Sequence, residues 1–88
     1  MNYVSFELGV DGCSPHNIVD CEVVLENGDV VKPVYYDHDL RNWFRSDVPG
    51  KSVRNVDSWK YLCPECWENS VNKPDALCEK CGAKNVKR

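Results

Sequence analysis

Two C-x-x-C pairs, Cys63-Pro64-Glu65-Cys66 and Cys78-Glu79-Lys80-Cys81, constrain this chain more than any other feature, with eleven residues between Cys66 and Cys78. Each pair sets two sulfurs on one side of a tight turn, and two such turns at this separation complete a tetrahedral four-thiolate site. Zinc is the simplest occupant. Pro64 fixes φ at the start of the first turn, and Gly82 has the freedom to take the left-handed conformation expected to end the second. Backbone N–H groups in such turns face the sulfurs, and Lys80, with Lys73 and Lys84 nearby, is expected to favour thiolate over thiol. Residues 68–75 read as the loop between the two turns.

Three other uses of these cysteines are compatible with their chemistry. Iron fits a four-thiolate site, giving an electron-transfer centre. Two disulfides are a second alternative, and a redox-active dithiol a third, although no βαβ pattern surrounds either pair. With all four tetrahedral positions taken by protein sulfur, no coordination position remains for a catalytic water. The metal is therefore expected to hold structure, and the chain not to be an enzyme.

Residues 61–82 resemble a zinc ribbon, the two-knuckle rubredoxin-like module of transcription, translation and many viral proteins. Cys78-Glu79-Lys80-Cys81-Gly82 matches its C-x-x-C-G knuckle, and Cys63-Pro64-Glu65-Cys66 matches the C-P-x-C part. Trp67 stands where that knuckle usually carries glycine. The resemblance covers about a quarter of the chain; it is specific for metal and says little about partner.

At 88 residues the chain can bury only limited apolar surface, so a metal that contributes folding free energy is physically useful. The first seven residues show no basic region followed by an apolar run, and no stretch reaches the length of a membrane span. Six cysteines without an export signal fit a reducing cytoplasm. The net charge of −3 hides an asymmetry: residues 1–50 carry nine acidic and three basic side chains, a balance of −6, and residues 51–88 carry five and eight, a balance of +3. Such polarity can place the chain on a partner or draw its two halves together; a solvated surface with a basic tail is the plainer reading.

Residues 3–8 alternate as a half-buried strand does, with Val4, Phe6 and Leu8 on one side, and residues 9–17 read as turn. Residues 18–26 alternate again, Val19, Cys21, Val23 and Leu25 inward, and Asp20, Glu22 and Glu26 forming an acidic outer face. Asn27-Gly28 then predicts a two-residue type I′ hairpin turn. That turn pairs Leu25 with Val30, Val23 with Lys32, Cys21 with Val34 and Val19 with Tyr36. Lys32 becomes the one inward misfit, expected to snorkel at an edge, and Pro33 implies a free edge or a bulge. Residues 37–42 read as a turn, Trp43-Phe44 as a short aromatic strand, 46–51 as a loop, and 52–62 as one strand running into Cys63 with Val53, Trp59 and Tyr61 as burial candidates. Residues 84–88 read as a disordered tail. These elements predict a mainly β chain, a small antiparallel sheet domain over residues 1–60 followed by a zinc ribbon with a basic tail over 61–88.

Residues 18–62 are also similar in outline to a small β domain of unknown function encoded by tailed phages, through Asp29 to Asp37, Trp43-Phe44 and Val56-Asp57-Ser58-Trp59. That resemblance implies a phage or prophage origin and no activity. Cys13, His16, Cys21 and His38 are the right residue types for a second metal site, but their spacing is irregular and Cys21 reads as core. No phosphate loop, dinucleotide fingerprint or zinc-hydrolase motif is present. The expected function is a zinc-binding interaction module that meets a basic protein surface, on a host protein or a protein–nucleic-acid machine, through its acidic β face. Its alternative is nucleic-acid binding by the ribbon, through Lys73, Lys80, Lys84, Lys87 and Arg88, with Trp67 as the stacking ring.

Overall fold

The computed structural model describes residues 3–7, 12–74 and 76–84, with the backbone alone at 83 and 84. Six strands and one short helix follow in order: β1 (Val4–Ser5), β2 (Cys21–Leu25), β3 (Val30–Asp37), β4 (Asn42–Arg45), β5 (Ser52–Val53), β6 (Val56–Tyr61) and α1 (Glu79–Lys84). The strands form one antiparallel open sheet in the order β1-β6-β2-β3-β4-β5, so the chain is mainly β, as its alternation predicts.

That order forces the sheet to roll. β5 and β6 stand four strand positions apart, about 19 Å in a flat sheet at roughly 4.8 Å per strand. Only Arg54 and Asn55 join them, and three Cα–Cα steps reach about 11 Å at most. The sheet therefore curls until its two ends approach, and Asn55 makes the corner in the left-handed region, φ 61. Residues 52–62 are consequently two strands serving opposite ends of the sheet, rather than the single strand their alternation suggests. Curling creates the inside: Cys21, Val23, Val34, Tyr36, Trp43, Val53, Val56 and Trp59 form one buried cluster. Phe6 packs edge-on against Tyr36 and Trp43, at centroid separations of 5.3 and 5.2 Å. The first strand is shorter than expected, and Leu8 lies outside the described residues.

The central hairpin departs from the expected register for a local reason. Gly28 takes φ 95 while Asn27 stays out of the left-handed region, so only one of the two positive φ values of a type I′ turn is present. Gly28 N–H donates to the Leu25 carbonyl (2.9 Å) and Leu25 N–H to the Asp29 carbonyl (2.8 Å), closing a three-residue loop, Glu26-Asn27-Gly28. Val24 then pairs with Val30 and Val23 with Val31, in place of the expected Leu25–Val30 and Val23–Lys32 pairs. Cys21 still meets Val34, because β3 takes up one extra residue in a bulge at Lys32-Pro33. Pro33 has no N–H to give the ladder, so a bulge is where it is tolerated. The bulge also removes the Lys32 misfit. β3 is an inner strand, and Lys32 reaches out to Glu22 (3.5 Å) and to the Glu68 carbonyl (3.2 Å).

The acidic outer face expected on β2 is not a solvated face. Glu22 is 8% exposed and is held by the Tyr3 hydroxyl, by Lys60 (3.6 Å) and by Lys32. Asp20 accepts from the Ser46 hydroxyl (2.6 Å) and from the Trp67 indole N–H (3.0 Å). Partners from both halves of the chain, Lys60 and Trp67 from the basic one, cover two of its three charges, a pairing that alternation along one strand cannot reveal.

Candidate metal centre

The end of β6 delivers the first knuckle. Leu62 N–H donates to the Asp20 carbonyl (3.0 Å), Val71 N–H to the Tyr61 carbonyl (3.0 Å) and Cys63 N–H to the Asn69 carbonyl (2.9 Å). The strand is thus continued by a short pairing with residues 69–71, and Cys63 emerges from it fully buried. Trp67 N–H closes the turn on the Cys63 carbonyl (3.0 Å) with φ 57. Left-handed backbone at this position explains why a glycine is usual there; here a tryptophan holds it, tied through its indole to Asp20.

The second knuckle opens into α1. Gly82 N–H donates to the Cys78 carbonyl (2.8 Å) and Cys81 N–H approaches the Cys78 sulfur (3.5 Å), so Cys78 caps the helix with its Sγ. Gly82 therefore lies inside the helix, without the left-handed conformation its position after Cys81 suggests. A residue that continues a first helical turn needs no special freedom.

All four sulfurs, of Cys63, Cys66, Cys78 and Cys81, lie within 4.8 Å of one another. The Cys66–Cys78 Sγ separation is 3.8 Å. A tetrahedron with metal–sulfur bonds of about 2.3 Å has edges of about 3.8 Å, so the Cys66–Cys78 separation matches one edge of a four-thiolate site and the other sulfurs lie near enough to complete it. Three of the cysteines are buried and Cys66 is half-buried. The buried cluster around them contains Val71 as its one non-cysteine member.

Charge on the sulfurs is managed by hydrogen bonds. Asn69 Nδ2 donates to the Cys78 sulfur (3.5 Å) and toward the Cys66 sulfur (3.9 Å). The Asn69 amide first, and then the Cys81 N–H, bring the Cys78 thiol down to about 6. For Cys63, burial acts to raise the thiol, and backbone N–H groups at Cys78, Cys66 and Glu65 outweigh it, leaving a net lowering. Cys81 is pushed up to about 12, by burial first and then by its sulfur neighbours. Four thiolates at this spacing repel one another, and a divalent cation at their centre removes that conflict. Amide and backbone donors, rather than Lys73 and Lys80, account for the lowered values.

Comparison with known protein families, curated proteins and solved structures gives no match. The likeness to a zinc ribbon therefore rests on the cysteine geometry. Asn69 was not legible as part of the site, because its role depends on the loop folding back over the sulfurs. Asp20 was not legible either, since it lies 47 residues from Trp67.

The remaining candidates separate. Lys73 and Lys80 are exposed, Lys84 ends α1, and Lys87 and Arg88 lie outside the described residues. Trp67 is 38% exposed, with its indole N–H committed to Asp20. The four residues considered for a second metal site do not converge. Cys21 donates to the Val19 carbonyl inside the sheet, Cys13 faces Glu7, His38 bonds the Pro15 carbonyl and His16 packs on the Tyr61 ring. Among the described residues only the four-cysteine group has metal-binding geometry. No helix among them is long and apolar enough to cross a membrane.

Proposed function

We propose that the chain is a non-enzymatic interaction module, built on one structural zinc held by Cys63, Cys66, Cys78 and Cys81, that docks on a protein or a protein–nucleic-acid machine. The observation that carries the metal reading is the cluster of four sulfurs within 4.8 Å of one another, with a 3.8 Å Cys66–Cys78 separation. Zinc fits a redox-silent, fully sulfur-ligated centre, and such a centre has no position for substrate. Docking is supported by the sheet beside that centre, whose exposed acidic groups, Glu26 and Asp29 at the hairpin end, suit a basic protein surface. Asp20 and Glu22, engaged internally, are not part of that surface.

Nucleic-acid binding through Lys73 and Lys80 is the second reading. It is less favoured because the Asp20 carboxylate, bonded to Trp67, sets a negative charge beside the candidate stacking ring. Steep loss of binding with salt would favour it over protein docking.

Elemental analysis of protein purified without added metal, with counting of alkylatable thiols before and after denaturation, tests the metal reading. One zinc per chain, with Cys63, Cys66, Cys78 and Cys81 protected in the native state beside the core residue Cys21 and opened to alkylation by a chelator, supports it. Iron in that stoichiometry moves the chain to electron transfer, and no metal with thiols lost to disulfides removes the zinc reading.

A further inference from the structure

Away from the sulfur cluster, a cleft of ≈ 420 Å³ opens beside the corner where β5 passes to β6. Phe6, Tyr36 and Trp43 line it with aromatic surface, and Arg41, Arg54 and Glu26 line it with charge. Its volume falls in the range of small-molecule sites, which pair an apolar lining with a few polar groups.

Three features mark this cleft. Arg41 and Arg54 are exposed and neither is in an ion pair among the described residues, although the first half of the chain is strongly acidic. Arg41 (φ 52) and Asn55 (φ 61) both line the cleft in left-handed backbone, a conformation that asparagine tolerates and arginine seldom adopts. Trp43 is 3% exposed and its indole N–H has no acceptor among the described residues, whereas buried donors are almost always bonded.

We propose that this cleft binds a small carboxylic acid carrying an apolar ring, with the carboxylate on Arg41 and Arg54 and the ring against Phe6. Arginine matches a carboxylate through paired N–H donors. Two arginines and Glu26 leave a single positive charge on the rim, which suits a monoanion better than a doubly charged phosphate. Phe6 is the half-buried member of the aromatic cluster and offers the surface on which a ring can pack. The site is separate from the cysteine cluster and does not depend on the identity of the metal.

The test is a titration of the full chain, metal-loaded as purified, with phenylacetate, followed by amide and indole N–H correlation spectra. Saturable shifts at the Trp43 indole and at the Arg41 and Asn55 amides are expected. Arg41→Gln and Arg54→Gln, made separately at exposed positions, should each weaken binding about tenfold while leaving the spectrum of the free protein dispersed. Absence of shifts, or equal shifts with acetate, which lacks the ring, overturns the proposal. Tighter binding of adenosine monophosphate or inorganic phosphate overturns the assignment to a carboxylate.

Discussion

Asn69 shows how much one side chain outside the ligand set can do. A divalent cation held by four thiolates would leave negative charge over, to be met by hydrogen-bond donors, and the Asn69 amide faces two of the four sulfurs. Removing a group that orients and stabilises metal ligands typically weakens the metal about tenfold or more. Asn69→Ala should therefore lower zinc affinity by about tenfold in competition with a chromophoric chelator. The pH dependence has a definite sign. Cys78 lies at about 6 against its ordinary 9.0, so its thiolate contribution is present above the ordinary value and is lost as pH falls through about 6. Without the Asn69 donor that window moves up, and acid release of zinc from Asn69→Ala should occur at higher pH than from the parent. Trp67 illustrates the opposite balance: a left-handed backbone costing about 1–2 kcal/mol is offset by an indole bond to a carboxylate.

Among the elements, the β2–β3 hairpin has a turn that depends on one glycine. A Cβ added at Gly28 would meet nothing within 4 Å, so the cost of Gly28→Ala lies wholly in the backbone at φ 95. Loss of about 1–2 kcal/mol in urea denaturation is expected, with no change in the denaturant slope. The bulge at Lys32-Pro33 restores the pairing of Cys21 with Val34 after the three-residue loop has shifted the register. Turn and bulge offset each other, so Val34 keeps its expected partner Cys21, and Val23 stays buried although it now meets Val31.

At the scale of the molecule, two buried clusters of unequal kind share Tyr61 at their border. One is a rolled sheet filled with valines and aromatics; the other is three buried cysteines around Val71. Apolar burial can hold the first but hardly the second, whose folding free energy, on the proposed reading, comes from a bound metal. Chelation should therefore release the C-terminal cluster and leave the sheet. Hydrogen exchange in the presence of a strong chelator should show lost protection at Cys63, Trp67, Val71 and Gly82, with Val23, Val34 and Trp43 still protected. Loss of protection throughout would mean that the Trp67–Asp20 bond and Tyr61 bind the two clusters into one cooperative unit.

The cysteine cluster, the mainly β class, the hairpin position and the aromatic strand were determined by the sequence, because each depends on spacing or alternation within a few residues. Tertiary structure alone decided the rest. Whether 52–62 was one strand or two depended on the curl of the sheet; the fate of Glu22 depended on lysines 10 and 38 positions away, and the register depended on a bulge compensating a turn. Asn69 and Asp20 acquired their roles from contacts that appear only when distant segments close on one another. Local patterns record which face of a strand is apolar, but they carry no record of which charged or polar group will be set against the other face, since that pairing is selected by three-dimensional proximity and not by sequence distance.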